Sequence, residues 1–316
     1  MDVFSDILRV IQLESSVFSK AELTAPWGII QPSSHDAAFH IVIRGNCCLE
    51  VEGQDMPIIL AGGDFIVLPH GHQHVLRDDL RTVAAPLASL GKAGQPDETG
   101  FIQFGGGGVP THLICGSFKL DRTLGKPILA VLPPILHIKG ENGRAVEWLD
   151  TTLQFIACEA SSRRPGNQTV IQRLADVLFI QAVRAFLNDP LRQKQGWLDA
   201  LQSPNIGVAL QLMHAQPEAS WSVVSLAEKI GMSRSAFATH FTRLVGETPM
   251  QYLTKWRMMK AAKLLMSGLM PLTEVAVLCG YESDASFSKV FKRYHGISPG
   301  NYRRKSSLSE TYLSES

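Results

Sequence analysis

The stretches "MSRSAFATHFTRLVGETP" (residues 232–249) and "ESDASFSKVFKRYHGISP" (residues 282–299) match one another at an offset of 50 residues. The paired residues are Ser233 and Ser283, Phe237 and Phe287, Phe241 and Phe291, Gly246 and Gly296, and Pro249 and Pro299. Agreement of this kind indicates an internal duplication. Each copy follows a short run, "VVSLAEKIG" or "LTEVAVLCG", that ends in a glycine suited to closing a helix, Gly231 or Gly280. The sequence therefore predicts helix, glycine turn and second helix, twice.

The second helix of each copy has the form of a DNA-recognition helix. Ser233 and Ser283 stand where N-caps are expected, and the phenylalanines are spaced i, i+4, so they face a small core. The residues predicted to face outward are Arg234, Ser235, Ala238, Thr239 and Thr242 in the first copy and Asp284, Ala285, Ser288, Lys289 and Lys292 in the second. Such side chains suit a major groove, which the second helix of a helix-turn-helix enters.

The run "TPMQYLTKWRMMKAAKLLMSG" (residues 248–268) predicts one long helix between the two copies. This helix would hold the recognition helices in fixed relation, so that they enter successive major-groove segments about 34 Å apart. Charge agrees with a polyanionic partner for this end of the chain. From Leu201 onward there are 13 Lys/Arg against 8 Asp/Glu, net +5, whereas the preceding residues have 17 against 21, net −4.

The segment from about Ile206 to Arg304 resembles the DNA-binding domain of the AraC/XylS family of transcriptional regulators, above all in "VAVLCGYESDASFSKVFKRYHGISPGNYRR" (residues 275–304). The resemblance implies two helix-turn-helix units that bind a promoter operator. It implies base contacts at Ser235, Ala238, Thr239, Asp284, Ala285, Ser288 and Lys289, to which the outward-facing Arg234 is added. It implies contacts with the DNA backbone at Arg257, Ser286, Lys292 and Arg293.

The front of the chain predicts a second domain of β structure, because 316 residues exceed what one core usually serves. From about Val3 to Thr111, short β-type runs such as "AFHIVIRG", "CCLEVEG" and "MPIILAGGDFIVLP" alternate with turn signals, and "THLICGSFKL" is a further strand. Pro86 to Pro110 is predicted to be a long glycine-rich loop. The pattern favours an antiparallel barrel or sandwich.

The run "GGDFIVLPHGHQH" (residues 62–74) fits the second cupin pattern, with Gly63, Pro69, Gly71 and His74 at its fixed positions. Proline and glycine there predict a tight turn that brings His74 to the mouth of a barrel. A metal cupin also needs paired histidines and a carboxylate in a first motif, where this chain has His40 alone. His40 and His74 are therefore either pocket or turn histidines or a poor metal site, and no cofactor is indicated.

The front half resembles the cupin-type sensing domain found in one branch of the same family, in "APWGI", "LPHGHQHVL" and "LICGSF". The resemblance implies a domain that binds an effector or dimerises. The candidate residues of its pocket are Trp27, His40, His72, His74 and Cys115. As a lone cysteine in an apolar strand, Cys115 is either a packing residue or a redox-sensing thiol with Cys47 or Cys48 as its partner.

The period changes to helical after Gln168 and predicts an amphipathic helix to about Leu187. Its apolar stripe is predicted to include Val170, Leu174, Val177, Leu178, Ala182, Ala185 and Phe186. The stripe would cover either a second copy of the chain or the barrel itself.

The sequence as a whole predicts a multidomain α+β protein: a cupin-like β-barrel with a C-terminal helical region (residues 1–195), a linker (196–205), an all-α double helix-turn-helix (206–304) and a disordered tail (305–316). We expect a cytoplasmic transcription factor, an activator by resemblance, whose partners are promoter DNA, RNA polymerase and a small-molecule or redox effector, with a possible homodimer and no membrane. The alternative is a metal-dependent cupin oxygenase or isomerase with a helical appendage, which would need the first cupin motif that is incomplete here.

Overall fold

The computed structural model of the chain describes residues 3–11, 13–95, 101–119, 129, 131–140, 151–152, 154–156, 158–159, 162, 164–189, 197–268 and 270–304. These residues form two compact units. The β unit is Gln12–Arg192, and the helical unit is Met1–Ile11 together with Gln193–Ser316. No helix among the described residues is both long and apolar enough to cross a membrane.

The β unit has two sheets of largely antiparallel strands. The first has the order β11-β6-β3-β10-β1-β9 and the second β5-β4-β7-β2-β8. The strands are β1 Glu14–Thr24, β2 Gly28–Gln31, β3 Ala37–Arg44, β4 Asn46–Val51, β5 Ile58–Ala61, β6 Phe65–Leu68, β7 His74–Arg77, β8 Ala85–Pro86, β9 Phe101–Gly105, β10 Pro110–Lys119 and β11 Leu136–Ile138. The predicted runs lie in β3 to β6 and in β10, so the expected β domain is confirmed.

Apolar side chains from both sheets meet in one core. Leu23, Val42 and Leu113 come from the first sheet, and Leu49 and Leu76 from the second. Each sheet ends in edge strands within the described residues, so the two sheets are open and pack face to face. The predicted barrel is therefore a two-sheet cupin-like arrangement that is not closed by hydrogen bonds in that part of the chain.

The predicted glycine-rich loop over residues 86–110 contains regular structure. It includes a 3-10 helix, Leu87–Gly94, and the strand β9, which pairs in parallel with β1. Gly105 has φ +134°, and a Cβ there would lie 1.9 Å from the carbonyl oxygen of Thr24. Glycine is required because the backbone of β9 ends against β1 at this point.

The long helix after the β strands, α2 Asn167–Asn188, confirms the predicted helix, but its buried stripe shares only Leu178 and Ala182 with the predicted one. Phe179 faces the first sheet, where its ring centroid is 4.9 Å from that of Phe118. Val170 and Val177, both in the predicted stripe, are 43% and 44% exposed. The helix packs on its own sheet through Ile171, Ala175, Leu178, Phe179, Ala182 and Val183. The aromatic ring of Phe179 buries more apolar area than valine can, which favours this face.

The helical unit contains α3 Trp197–Ala200, α4 Pro204–Ala215, α5 Val223–Lys229, α6 Arg234–Val245, α7 Pro249–Met266, α8 Leu272–Leu278 and α9 Asp284–His295. Residues 299–304 are also helical. The predicted linker at 196–205 differs from the structure, because α3 lies within it and packs on α6. The predicted boundary at residue 195 and the predicted disordered tail at 305–316 lie outside the described residues.

The helix α1, Val3–Ile11, belongs to the helical unit, although the sequence analysis placed it among the β runs of the first domain. It packs on α4 and α7. Its buried side chains follow the i, i+4, i+7 spacing of an amphipathic helix; they are Val3, Phe4, Ile7 and Val10. Asp6 Oδ2 lies 3.9 Å from His214 Nδ1 on α4. Burial lowers the pKa of His214 to about 3, so at neutral pH this contact joins a carboxylate to a neutral imidazole.

We expect Ile7→Ala to lower the free energy of unfolding of the helical unit by about 2–4 kcal/mol, because it removes a fully packed side chain and leaves a cavity. Urea unfolding of the full chain followed by far-ultraviolet circular dichroism measures the change. Leu8→Ala, on the half-buried side of the same helix, is the matched control and should cost less than about 1 kcal/mol. Equal losses for both variants would contradict the assignment of α1 to the helical unit.

Candidate nucleic-acid interface and buried histidine pair

The helices α6 and α9 begin and end in the same way. The backbone N–H of Ala236 donates to Ser233 Oγ at 3.3 Å, and that of Ser286 donates to Ser283 Oγ at 3.2 Å. Both helices close on a left-handed glycine, Gly246 with φ +86° and Gly296 with φ +78°. The predicted caps are confirmed in both copies.

The turn before each recognition helix also contains a left-handed glycine. Gly231 has φ +68° and Gly280 has φ +76°, as the sequence predicted for helix closure. The backbone can therefore change direction within a few residues, so that the second helix of each unit faces solvent.

The predicted phenylalanine pairs form the core of each unit. Phe237, Phe241, Phe287 and Phe291 are all fully buried, and within each pair the ring centroids are 5.6 Å apart. The duplication extends further than the sequence analysis recognised. Tyr252 packs edge-on against Phe241 at 5.8 Å, and Tyr302, 50 residues later, packs in the same way against Phe291 at 5.4 Å.

The outer faces of α6 and α9 correspond at an offset of 50 residues except at the first position, where Arg234 is exposed and Asp284 is half-buried. The exposed residues are Arg234, Ser235, Ala236, Thr239, Thr242 and Arg243 on α6 and Ala285, Ser286, Lys289, Lys292 and Arg293 on α9. Three other predicted contact residues are half-buried: Ala238, Asp284 and Ser288. Both helices thus leave a polar face free for a partner.

Sequence reasoning missed part of the surface of α6. A cavity of about 460 Å³ is lined by Ser235, Ala236, Thr239, His240 and Arg243. His240 and Arg243 were not among the predicted contacts. The i, i+4 step from Ala236 to His240 and from Thr239 to Arg243 places these pairs on adjoining parts of one face and was available in the sequence.

Charge is distributed differently on the two recognition helices. The last turn of α9 contains Lys292, Arg293 and His295, whereas the last turn of α6 contains Arg243. Asp284 occupies the first turn of α9, where the helix dipole favours a carboxylate. The exposed cations number three on α9, Lys289, Lys292 and Arg293, and two on α6, Arg234 and Arg243.

Arg257, on α7, has its guanidinium turned into the helical unit. Nε donates to the carbonyl oxygen of Pro217 at 2.6 Å, and Nη2 donates to that of Ala219 at 2.8 Å. Its Cζ also lies 5.8 Å from the ring centroid of Tyr281. The guanidinium of Arg257 is held by these inward contacts. Arg257 is therefore left out of the DNA interface that we propose.

Three of the candidate pocket residues of the β unit meet in its interior. Nε2 of His40 is 2.8 Å from Nε2 of His74, and Nδ1 of His40 is 3.1 Å from Cys115 Sγ. Nδ1 of His74 is 2.9 Å from the carbonyl oxygen of His72. His40 and His74 are 2% and 3% exposed, so His74 lies inside the fold and not at its mouth.

The hydrogen bonds have one consistent direction. The carbonyl oxygen of His72 can only accept, so Nδ1–H of His74 donates to it and Nε2 of neutral His74 accepts. Nε2–H of His40 therefore donates to His74, which leaves Nδ1 of His40 to accept from the thiol of Cys115. The result is a chain of hydrogen bonds that begins at Cys115 and ends at the backbone.

Burial keeps both imidazoles neutral. It lowers the pKa of His40 well below its usual value, with His74 adding to the effect, and it lowers the pKa of His74 despite the hydrogen bond to His72. Among the described residues, no group of three or more His, Cys, Asp or Glu side chains is placed to hold a metal ion. The lone pairs of the two imidazoles are used within the chain of hydrogen bonds.

The other two candidate pocket residues do not join this chain through their side chains. Trp27 is buried in the apolar core, and its backbone N–H donates to Asp78 Oδ1 at 2.8 Å. His72 contributes its backbone carbonyl, and its half-buried ring packs beside that of His70 at 5.5 Å. The tight turn that precedes His74 is confirmed: Gly71 has φ +63°, and a Cβ there would lie 2.3 Å from the carbonyl oxygen of Ser34.

Of the two cysteines proposed as partners of Cys115, Cys47 shares its surroundings. Cys47 is a buried member of the apolar core against which Cys115 packs. Burial raises the pKa of the Cys47 thiol, and the charge of a Cys115 thiolate would raise it further. The pKa of Cys48 is also raised by burial, but its charged neighbours are Asp79, Arg77, Glu50 and Asp78.

Two helix-turn-helix units on one connecting helix, in a chain that also contains a cupin-like β unit, define a DNA-binding regulator. Comparison with known families agrees. A family described as "Cupin" matches residues 2–188, and one described as "Helix-turn-helix domain" matches residues 226–305.

An AraC-like transcription regulator of Streptomyces lividans is 33% identical over 96% of this chain and 98% of its own length. AlkR, an HTH-type transcriptional regulator of Acinetobacter baylyi, is 31% identical over 97% of this chain and 100% of its own length. RclR, named an RCS-specific HTH-type transcriptional activator of Escherichia coli, is 32% identical over 62% of this chain and 68% of its own length. The chain belongs to the AraC family of transcription regulators with an N-terminal cupin domain, and the metal-dependent enzyme alternative is set aside.

The neutral histidine pair predicts a pH dependence of stability. Unfolded imidazoles take up protons below about pH 6.5, while the folded β unit keeps His40 and His74 neutral, so stability falls as pH falls from about 7 toward 5. Each histidine contributes at most about 1.4 kcal/mol per pH unit.

Replacing both His40 and His74 by leucine should flatten this dependence for the β unit, as measured by urea midpoints at pH 7.5 and pH 5.0. His214 is unchanged in the double variant, so its contribution cancels in the comparison. A double variant as sensitive to acid as the wild type would show that the pair titrates normally in the folded chain.

Proposed function

We propose that the chain binds a promoter operator through both recognition helices and regulates transcription in response to a signal received at Cys115 in the β unit. The matching exposed faces of α6 and α9, on two units built alike, carry the DNA part of this proposal. The base contacts are proposed at Arg234, Ser235, Ala238, Thr239, Asp284, Ala285, Ser288 and Lys289. The backbone contacts are proposed at Ser286, Lys292 and Arg293.

The helices α6 and α9 are suited to different contributions to DNA binding. The outer face of α6 combines hydroxyl groups with two arginines, Arg234 and Arg243, while that of α9 exposes three cations, Lys289, Lys292 and Arg293. Arginine and lysine can read guanine edges or bind phosphates, and hydroxyls can bond to several bases. We therefore propose that α9 provides the larger electrostatic part of the affinity.

The first test is binding of the full chain to a pool of random-sequence duplexes, followed by sequencing of the retained molecules and a salt titration. We expect an asymmetric motif, with affinity that falls steeply as salt rises because several phosphates are neutralised. Lys292→Ala should weaken binding to all sequences and reduce the salt slope by about 1.

Lys119→Ala, at the exposed end of β10 in the β unit, is the matched control and should leave the slope unchanged. Retention of DNA without any motif would reduce the proposal to non-specific binding. No retention would refute it.

The signal part of the proposal rests on the surroundings of Cys115. The thiol is half-buried, and its proton is directed at Nδ1 of His40. The neutral imidazole of His40 can accept the thiol proton as the Cys115 sulfur attacks an oxidant. The relative RclR is named an RCS-specific activator, which agrees with activation. A small ligand in the same core is the alternative signal.

We expect Cys115→Ser to abolish the change in operator affinity that follows treatment of the full chain with hydrogen peroxide or hypochlorite, while basal affinity is kept. Cys158→Ser, at an exposed cysteine, is the control and should respond like the wild type. Mass spectrometry of the treated protein identifies the oxidised sulfur. An unchanged response in Cys115→Ser would exclude the redox signal and leave the small ligand.

We also propose contact with RNA polymerase and a homodimer. The exposed Val170 and Val177 on the outer side of α2 support the homodimer, because they form an apolar stripe at helical spacing on a face that the sheet does not cover.

A further inference from the structure

Arg257 connects three parts of the helical unit. It lies on the connecting helix α7, donates to the turn before α5 in the first helix-turn-helix unit, and makes a cation–π contact with Tyr281 in the turn before α9 in the second. We infer that Arg257 is a positioning residue, which sets the distance and angle between the recognition helices and thereby the spacing of the operator that both can read. The inference rests on the proposed function, in which both units bind one operator.

The contact with the first unit depends on the shape of the guanidinium. Nε and Nη2 each donate to a different carbonyl oxygen, those of Pro217 and Ala219. These residues lie between α4 and α5, so the bonds join the entry of the first unit to α7. A lysine ammonium is a point charge and cannot reproduce this fixed pair of bonds together with stacking on a ring.

The contact with the second unit involves backbone as well as an aromatic ring. The Tyr281 ring centroid lies 5.8 Å from Cζ of Arg257, within the range of a cation–π interaction. Gly280 has φ +76°, and a Cβ there would lie 2.7 Å from Nη2 of Arg257 and 2.9 Å from the carbonyl oxygen of Glu218. The turn that leads into α9 is thus packed directly against the guanidinium.

The second unit has an arginine of similar design that serves as a control. Nη2 of Arg303, in the helical residues 299–304, donates to the carbonyl oxygen of Met270 at 2.6 Å, just before α8. This bond joins the end of the second unit to its beginning, as the bonds from Arg257 join α7 to the beginning of the first unit. Arg257 differs because it also reaches the turn of the other unit.

A phosphate contact at Arg257 makes different predictions from a positioning role. A side chain that binds phosphate acts on every DNA and contributes to the salt slope. A side chain that fixes the geometry of two units acts only on DNA that both units must bind at once, and it leaves the salt slope of each unit unchanged.

The experiment uses the full chain and three duplexes: the operator recovered from the random pool, the same operator with one base pair inserted between the segments read by α6 and α9, and the operator with one segment scrambled. Wild-type protein should discriminate against the insertion. We expect Arg257→Lys to lower affinity for the intact operator about tenfold, to lose most of the discrimination against the insertion, and to keep its affinity for the scrambled duplex.

Tyr281→Leu, which removes the ring and leaves the charge of Arg257, should behave like Arg257→Lys, while Tyr281→Phe should behave like the wild type. Arg303→Lys should keep the wild-type discrimination between spacings. The salt slope of Arg257→Lys on the intact operator should match that of the wild type.

Three outcomes would overturn the inference. Wild-type affinity of Arg257→Lys combined with a salt slope of Arg257→Ala lower by about 1 would identify a phosphate contact. An equal loss on all three duplexes would identify a role in folding alone. If Tyr281→Leu still discriminates against the inserted base pair, Arg257 does not set the spacing of the two units through Tyr281. If wild-type protein recovers no motif, the proposed function fails, and the outcome is distinct from all three.

Discussion

A helix-turn-helix unit of about fifty residues contains little apolar surface, so its second helix is held in place only if that helix buries its largest side chains completely. In both copies two phenylalanines one helical turn apart supply this burial, and a tyrosine from the following helix completes each cluster. The other consequences follow from this constraint. Because one stripe of α6 and α9 is used by the rings, the opposite stripe is free to remain polar and to meet DNA.

The same shortage of apolar surface explains why other elements are recruited to the helical unit. The helix α1 buries four apolar residues on α4 and α7, and α3 packs on α6. Buried polar side chains also join these elements to one another. His214 bonds through Nε2 to the hydroxyl of Tyr252 at 2.8 Å and stacks on Trp256, with ring centroids 3.8 Å apart. Each of these contacts adds to a core that the two repeats alone leave small.

The β unit meets a different constraint, which is the enclosure of polar groups between two sheets. His40, His74 and Cys115 satisfy one another in a directed chain of hydrogen bonds, so burial costs less than it would for isolated groups. Asp64 solves the same problem nearby by accepting from the backbone N–H groups of Ala61 and Gly140 and from His137 Nε2. The hydrogen bonds from these groups hold the pKa of Asp64 below its usual value in spite of burial. The first arrangement joins the Cys115 thiol to the imidazole of His40, whereas the second fixes the strand β11.

The sequence alone determined the features that depend on neighbours within one or two helical turns. Serine caps, left-handed glycines and the i, i+4 phenylalanines identified both helix-turn-helix units and their outward faces, because each of these signals acts over about four residues. The turn with Gly71 was identified for the same reason. Only the tertiary structure decided which stripe of α2 is buried, which unit contains α1, and where Arg257 points. It also brought His40 to His74, 34 residues away, and to Cys115, 75 residues away. Contacts over such separations depend on how strands and helices pack, and packing selects among several faces that local spacing leaves equally suitable.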